Sequence, residues 1–163
     1  MQYSTDGKSW SSYSIPININ KGQKLYLKGY NPDGWSNGNA YSTLSITGGV
    51  SISGNVMCLL DNGAISGEVE DIVDIPCDWR FKELFAGSDG ITSVSDNFLP
   101  ATNLANYCYD SMFLYCTSLT TSPELPATSL KTNCYDAMFT ACSSLTTVPE
   151  SLLPATTLAE SCY

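Results

Sequence analysis

Histidine does not occur in these 163 residues. Its absence removes the Ser-His-Asp and Cys-His nucleophile pairs, in which an imidazole takes the proton, and with them the commonest hydrolase and cysteine-protease chemistry. It also weakens a zinc reading of the seven cysteines, because no C-x2-C pair is present either. Basic side chains are few, 7 Lys and Arg against 16 Asp and Glu, and they are unevenly placed. Residues 1–58 carry four lysines against two aspartates, or +2, whereas residues 59–163 carry three basic against 14 acidic side chains, or -11. Such a surface repels phosphate backbones, which argues against nucleic acid as a partner. No apolar run approaches the roughly 20 residues needed to span a bilayer. The N-terminal "MQYSTDGKSW" has neither the basic region nor the apolar run of an export signal.

An apolar fraction of 43% is enough for a packed core. Up to Cys58 the chain reads as short strands with turn punctuation. Asp6-Gly7 lies between two short polar-aromatic runs, a hairpin signal, and Ile15, Ile17 and Ile19 alternate before Lys21-Gly22 turns the chain. Leu25 and Leu27, then "STLSITGG" and "VSISGNVMCLL", continue the period of two. This pattern predicts a small β-sandwich.

From Ile72 the chain repeats itself. Units open on "LPAT" at Leu99, Leu125 and Leu153, giving spacings of 26 and 28 residues, and a degenerate unit precedes them in which Trp79, Phe81, Leu84 and Phe85 match Tyr107, Tyr109, Met112 and Phe113. The last unit, "LPATTLAESCY", is cut short, and the chain is expected to be a piece of a longer protein. A period of this size predicts stacked units, none of which buries its apolar face alone. Within a unit Leu104, Cys108, Met112 and Cys116 stand four apart, with Tyr109 and Phe113 in the adjacent row. That spacing predicts a helix with one apolar stripe. "SLTTSP" and "SLTTVP" then read as short strands.

The repeated string "MFxxCxSLTxxPxxLPxxxL" resembles the bacterial leucine-rich repeats of the BspA-like class over about residues 72–163. The resemblance implies a β-α solenoid on a secreted or cell-surface protein with a role in adhesion. The expected fold class is therefore α+β: a β-sandwich-like module over 1–58, an acidic linker over 59–71, and a leucine-rich-repeat solenoid over 72–163.

The cysteines fall into two columns, Cys108, Cys134 and Cys162 in one and Cys116 and Cys142 in the other. Buried thiols serving as small apolar residues are the favoured reading, with bridges between neighbouring units and a zinc site as the alternatives. In "GEVEDIVD" Glu68, Glu70, Asp71 and Asp74 crowd the junction, and a solvated connector is favoured over paired catalytic carboxylates. Asn31, Asp33, Asn37 and Asn39 alternate as in an oxygen-rich calcium loop, but one carboxylate among four suits a polar turn better. Trp10, Tyr13, Tyr26, Tyr30, Trp35 and Tyr41 are divided between the core and a platform for a sugar ring or a protein.

If repeated positions form the core, recognition falls to positions that vary between units. Asn103, Asn106, Ser111 and Leu114 stand opposite Ser129, Thr132, Ala137 and Thr140 in this comparison, and Trp35 and Tyr30 join them as candidate partner-binding residues. The expected function is a non-enzymatic surface or secreted recognition module for a protein or glycan ligand, with no cofactor. A phage or cell-envelope stalk is the alternative, and a glycan-active enzyme stands last.

Overall fold

The computed structural model describes residues 1–31, 34–38, 40–60 and 74–163. Asp33, Asn39, Glu68, Glu70, Asp71 and residues 61–71 of the expected linker lie outside them. The chain divides into two compact units, Met1–Pro32 with Val56–Asp71 and Asp33–Asn55 with Ile72–Tyr163.

The first unit holds a three-stranded antiparallel sheet in the order β2-β1-β3, from β1 (Gln2–Ser4), β2 (Ser11–Ser12) and β3 (Tyr26–Lys28). The expected Asp6-Gly7 turn joins β1 to β2, and its chemistry is local. Asp6 accepts the N–H groups of Ser9 at 2.8 Å and Lys8 at 2.7 Å and the Ser4 hydroxyl at 2.8 Å. Those bonds hold its carboxyl well below the usual carboxylate range. A 3-10 turn, Val56–Leu59, packs on β3 and supplies buried Val56, Met57 and Leu59. The Lys28 ammonium lies 4.1 Å from the centre of the Trp10 ring.

The second unit begins with a two-stranded hairpin, β4 (Ser36–Asn37) and β5 (Ala40–Tyr41), and a parallel pair, β6 (Val50–Ile52) with β7 (Ile91–Val94). Single-residue parallel bridges extend the β7 row through Ser93, Thr121 and Thr147, where the sequence predicted short Thr-rich strands. A second line of bridges joins Asp74 to Asn103 and Ser129 to Thr157.

The expected fold class does not form. Among the described residues there is no α-helix, the strands are two to four residues long, and the first unit holds one three-stranded sheet where a sandwich needs two. The chain is therefore not an α+β leucine-rich-repeat solenoid. Part of the reason lies in the Ile15–Ile19 run. Pro16 cannot donate to a ladder, and Ile15 is 77% exposed while Ile17 and Ile19 are only half-buried, so no strand forms across the run.

The predicted helix fails for a different reason. An α-helix turns about 100° per residue, so side chains spaced four apart drift by about 40° at each step. Three such steps, from Leu104 to Cys116, would carry the stripe off the core. The chain instead makes successive turns with a left-handed residue at every fourth position: Trp79, Glu83 and Gly87, then Tyr107, Ser111 and Tyr115, then Asn133, Ala137 and Ala141. N–H groups at even positions close the turns. Asp110 donates to Tyr107 at 3.4 Å, Met112 to Tyr109 at 3.2 Å, and Leu114 to Ser111 at 3.0 Å. N–H groups at odd positions reach the next row, as Tyr109 does to Cys134 at 3.0 Å and Phe113 to Met138 at 3.1 Å. A left-handed non-glycine residue costs of order 1–3 kcal/mol, and the bonds between rows offset it. Composition favours the same outcome, since Tyr, Phe, Asn, Cys, Asp and Ser, which fill these rows, are poor helix formers.

Four-residue turns keep each column in register. The rings of Phe81, Tyr109, Tyr135 and Tyr163 stack at centroid distances of 5.6, 5.8 and 6.2 Å, and Phe85, Phe113 and Phe139 at 5.6 and 5.9 Å. Cys108, Met112, Phe113, Cys116 and Leu119 are wholly buried beside them.

Candidate binding face

Trp79 and Tyr107 begin their rows at left-handed positions, φ 58° and 56°, and both are half-buried. Their rings stack at 5.5 Å and 19°, forming a third aromatic stack beside the two core columns. Gly38 lets the chain pass close to them: a Cβ added there would lie 3.1 Å from the Trp79 ring, which would have to shift by a few tenths of an ångström. Next to the Trp79 ring is an open cavity of about 480 Å³ lined by Ser36, Asn37, Cys77, Asp78 and Trp79.

The polar groups around this shelf are fixed. Asp78 accepts from the Asn106 N–H at 2.9 Å and from its side-chain amide at 3.4 Å. Asn37 accepts the Ala40 N–H at 3.0 Å, which closes the β4-β5 hairpin, and Ser36 donates its hydroxyl to the Lys82 carbonyl at 2.8 Å. The Lys82 ammonium meets Asp110 at 2.7 Å. Burial works against the charge on Lys82, but the hydrogen bond and charge of Asp110 outweigh it and raise its pKa. The arrangement presents a flat apolar surface with polar groups at its rim, which suits binding. A proton-transfer role is poorly served, because the carboxylates of Asp78 and Asp110 are held by structural partners.

The residues selected from sequence are scattered. Asn103, Ser129 and Thr140 are exposed. Asn103 bonds to Asp74 through its side chain, and Ser129 lies in the same line of bridges. Asn106, Thr132 and Leu114 are half-buried, and their carbonyls accept from Trp79, Tyr107 and Gly87. Ser111 is buried, at 8% exposure, and its hydroxyl donates to Asp110 at 2.7 Å. Ala137 is half-buried at a left-handed position. Trp35 is half-buried and donates its main-chain N–H to the Arg80 carbonyl at 2.9 Å. Tyr30, in the first unit, is 66% exposed. Asn106 and Thr132 meet the shelf through the main chains of Trp79 and Tyr107, and Asn106 bonds Asp78 as well. Trp79, Asp78 and Tyr107 were not singled out from sequence, although the match of Trp79 with Tyr107 between units was already visible there.

All seven cysteines are free thiols. Each column joins rows: Cys116 donates its thiol to the Phe85 carbonyl at 3.2 Å and Cys142 to Phe113 at 3.1 Å, while Cys108 and Cys134 reach the carbonyls of Cys134 and Cys162 at 3.9 and 3.7 Å. Burial pushes Cys116 up to about 12, and Cys108, Cys134 and Cys142 also move upward. Protonated, sheltered thiols are poor nucleophiles and poor ligands. Among the described residues no group of three or more Cys, Asp or Glu side chains is arranged to hold a metal ion. Among them too, no helix is long and apolar enough to cross a membrane.

No protein-family model, no curated protein and no solved structure matches the chain.

Proposed function

We propose that the chain is a non-enzymatic recognition module, presented at a cell surface or secreted, that engages a protein or glycan ligand through the face carrying Trp79 and Tyr107. The observation that carries this reading is the half-exposed Trp79–Tyr107 stack beside a cavity rimmed by Asn37 and Asp78. A rigid aromatic surface costs little side-chain entropy to bury against a partner, and aromatic anchors commonly dominate binding energy. The likeness of the repeat strings to BspA-like surface repeats supports the placement outside the cell.

A glycan array and a display library of extracellular proteins, probed with the full chain and with Trp79→Ala, test the reading. Loss of about tenfold or more in binding, with an unchanged melting temperature, is expected for the variant. Ligands that bind both proteins equally would overturn it. The stalk or spacer reading keeps one supporting observation, the unit-on-unit bonding of the rows, which builds length without needing a ligand. It would gain if neither screen returned a ligand.

A further inference from the structure

The first unit contains a cavity of its own. It measures about 390 Å³, within the range of small-molecule sites, roughly 300–1,000 Å³. Its walls come from β1, the turn that follows, β2 and the segment 14–18. Tyr3 of β1 stands directly opposite Ser11 of β2 in the antiparallel register, so ring and hydroxyl share one face of the sheet. Tyr3 is half-buried and Ser11 exposed. Half-buried Ile17 adds apolar wall, and exposed Ser14 and Asn18 add a hydroxyl and an amide.

The turn between β1 and β2 fixes one charged acceptor in this cavity. Ser4, only 2% exposed, accepts the Asp6 and Gly7 N–H groups at 3.2 and 2.8 Å and donates its hydroxyl to Asp6. The bonds from the Ser4 hydroxyl and from the Lys8 and Ser9 N–H groups all end on Asp6 Oδ1, so Oδ2 keeps lone pairs for a ligand. The Tyr26 ring packs against the same turn, 3.5 Å from where a Gly7 Cβ would stand. An acceptor held in place before binding adds little to the ordering cost of a complex.

The lining also narrows the chemistry of the occupant. Among the described residues no Lys or Arg lines the cavity, and Asp6 stays ionised, so phosphate, sulfate and carboxylate ligands are repelled. Hydroxyl groups, each a donor and an acceptor, supply most of the polar wall. A matching ligand carries hydroxyls around its edge and an apolar C–H face for Tyr3 and Ile17. A simple ammonium ion would meet Asp6 and leave the hydroxyls and the amide unused.

We propose that this cavity is a binding site for a neutral pyranose sugar, with Tyr3 against one face of the sugar ring and Asp6 Oδ2, Ser11, Ser14 and Asn18 on its hydroxyls. The site shares no residue with the Trp79–Tyr107 face, and its failure would leave that reading standing.

The test is an amide NMR titration of the isotopically labelled chain with the methyl glycosides of glucose, galactose, mannose and N-acetylglucosamine. Methyl glucuronide and tetramethylammonium chloride serve as comparison ligands. At least one neutral glycoside is expected to give saturable shifts at Asp6, Lys8, Ser9 and Ser11, with a dissociation constant on the order of 1 mM. The glucuronide is expected to bind about tenfold more weakly than the glucoside. Ser14 and Asn18 are exposed and lie outside the strands, so the double variant Ser14→Ala/Asn18→Ala is expected to keep its melting temperature and to lose about tenfold in affinity. Trp79→Ala is expected to leave these shifts unchanged. No shift at these amides with any of the four glycosides, equal binding of tetramethylammonium, or full affinity in the double variant would each overturn the proposal.

Discussion

The rings of Tyr109 and Tyr135 lie parallel to within 1°, with centroids 5.8 Å apart, and neither hydroxyl has a hydrogen-bond partner among the described residues. Ring stacking, and not the hydroxyl, therefore secures this column, and Phe81 occupies its first place without one. An unsatisfied buried hydroxyl costs about 1–3 kcal/mol. Tyr109→Phe is accordingly expected to leave stability unchanged or to raise it by about 1 kcal/mol, read from the urea midpoint at constant slope. A loss larger than that would show that the hydroxyl is used.

Gly87, Tyr115 and Ala141 hold the same place in successive rows, at φ 72°, 59° and 61°. Relieving a left-handed alanine with glycine stabilises, whereas glycine in a helix destabilises by about 1 kcal/mol. The variant Ala141→Gly is thus expected to gain about 0.5–1 kcal/mol, and Gly87→Ala to lose about 1 kcal/mol although an added Cβ would meet nothing within 4 Å. Equilibrium unfolding of both variants decides the sign, and the opposite signs would restore the helix.

Phe113 is wholly buried between Phe85 and Phe139, while Phe139 has a ring neighbour on one side and is only half-buried. Truncation to alanine is expected to cost about 3–5 kcal/mol at Phe113 and clearly less at Phe139. Equal losses at the two positions in a denaturant titration would contradict this difference.

The buried thiols give stability a pH dependence. Unfolded, these cysteines ionise near 9.0, whereas burial raises Cys116 to about 12 and moves Cys108, Cys134 and Cys142 upward. Above pH 9 the unfolded chain therefore binds fewer protons than the folded one, so stability is intact below that pH and falls as pH rises toward 12. Melting at pH 8 and at pH 10.5 is expected to show the drop, and Cys116→Ala to make it shallower. Alkylation of the four thiols is expected to be slow in the native chain and rapid once it is unfolded.

Sequence gave the periods more reliably than the elements. The 26-residue spacing and the match of Phe81 and Phe85 to Tyr109 and Phe113 point directly to the ring columns, because side chains that recur in register stack if the units do. What misled was the spacing of four between Leu104, Cys108, Met112 and Cys116. Both a helix and a row of four-residue turns display it over one or two steps, and only its strictness over three steps tells them apart. The first fifty residues depart from their expected pattern for another reason. Short alternations predict strands, but Pro16 and the many glycines and serines turn most of that length into loops. Asn103, Ser129 and Thr140 lie at the surface, whereas Ser111 also varies between units and is buried, its hydroxyl donating to Asp110 from a left-handed turn.

The one-way main-chain bonding between turn rows has an evolutionary consequence. Each row offers its successor the same pattern of donors that its predecessor offered to it, so a tandem duplication of one unit inserts without a mismatch on either side. The gene segment encoding residues 99–124 could be copied in place, and the new row would accept from one neighbour and donate to the other. Selection can therefore alter the number of rows independently of what the exposed side chains recognise.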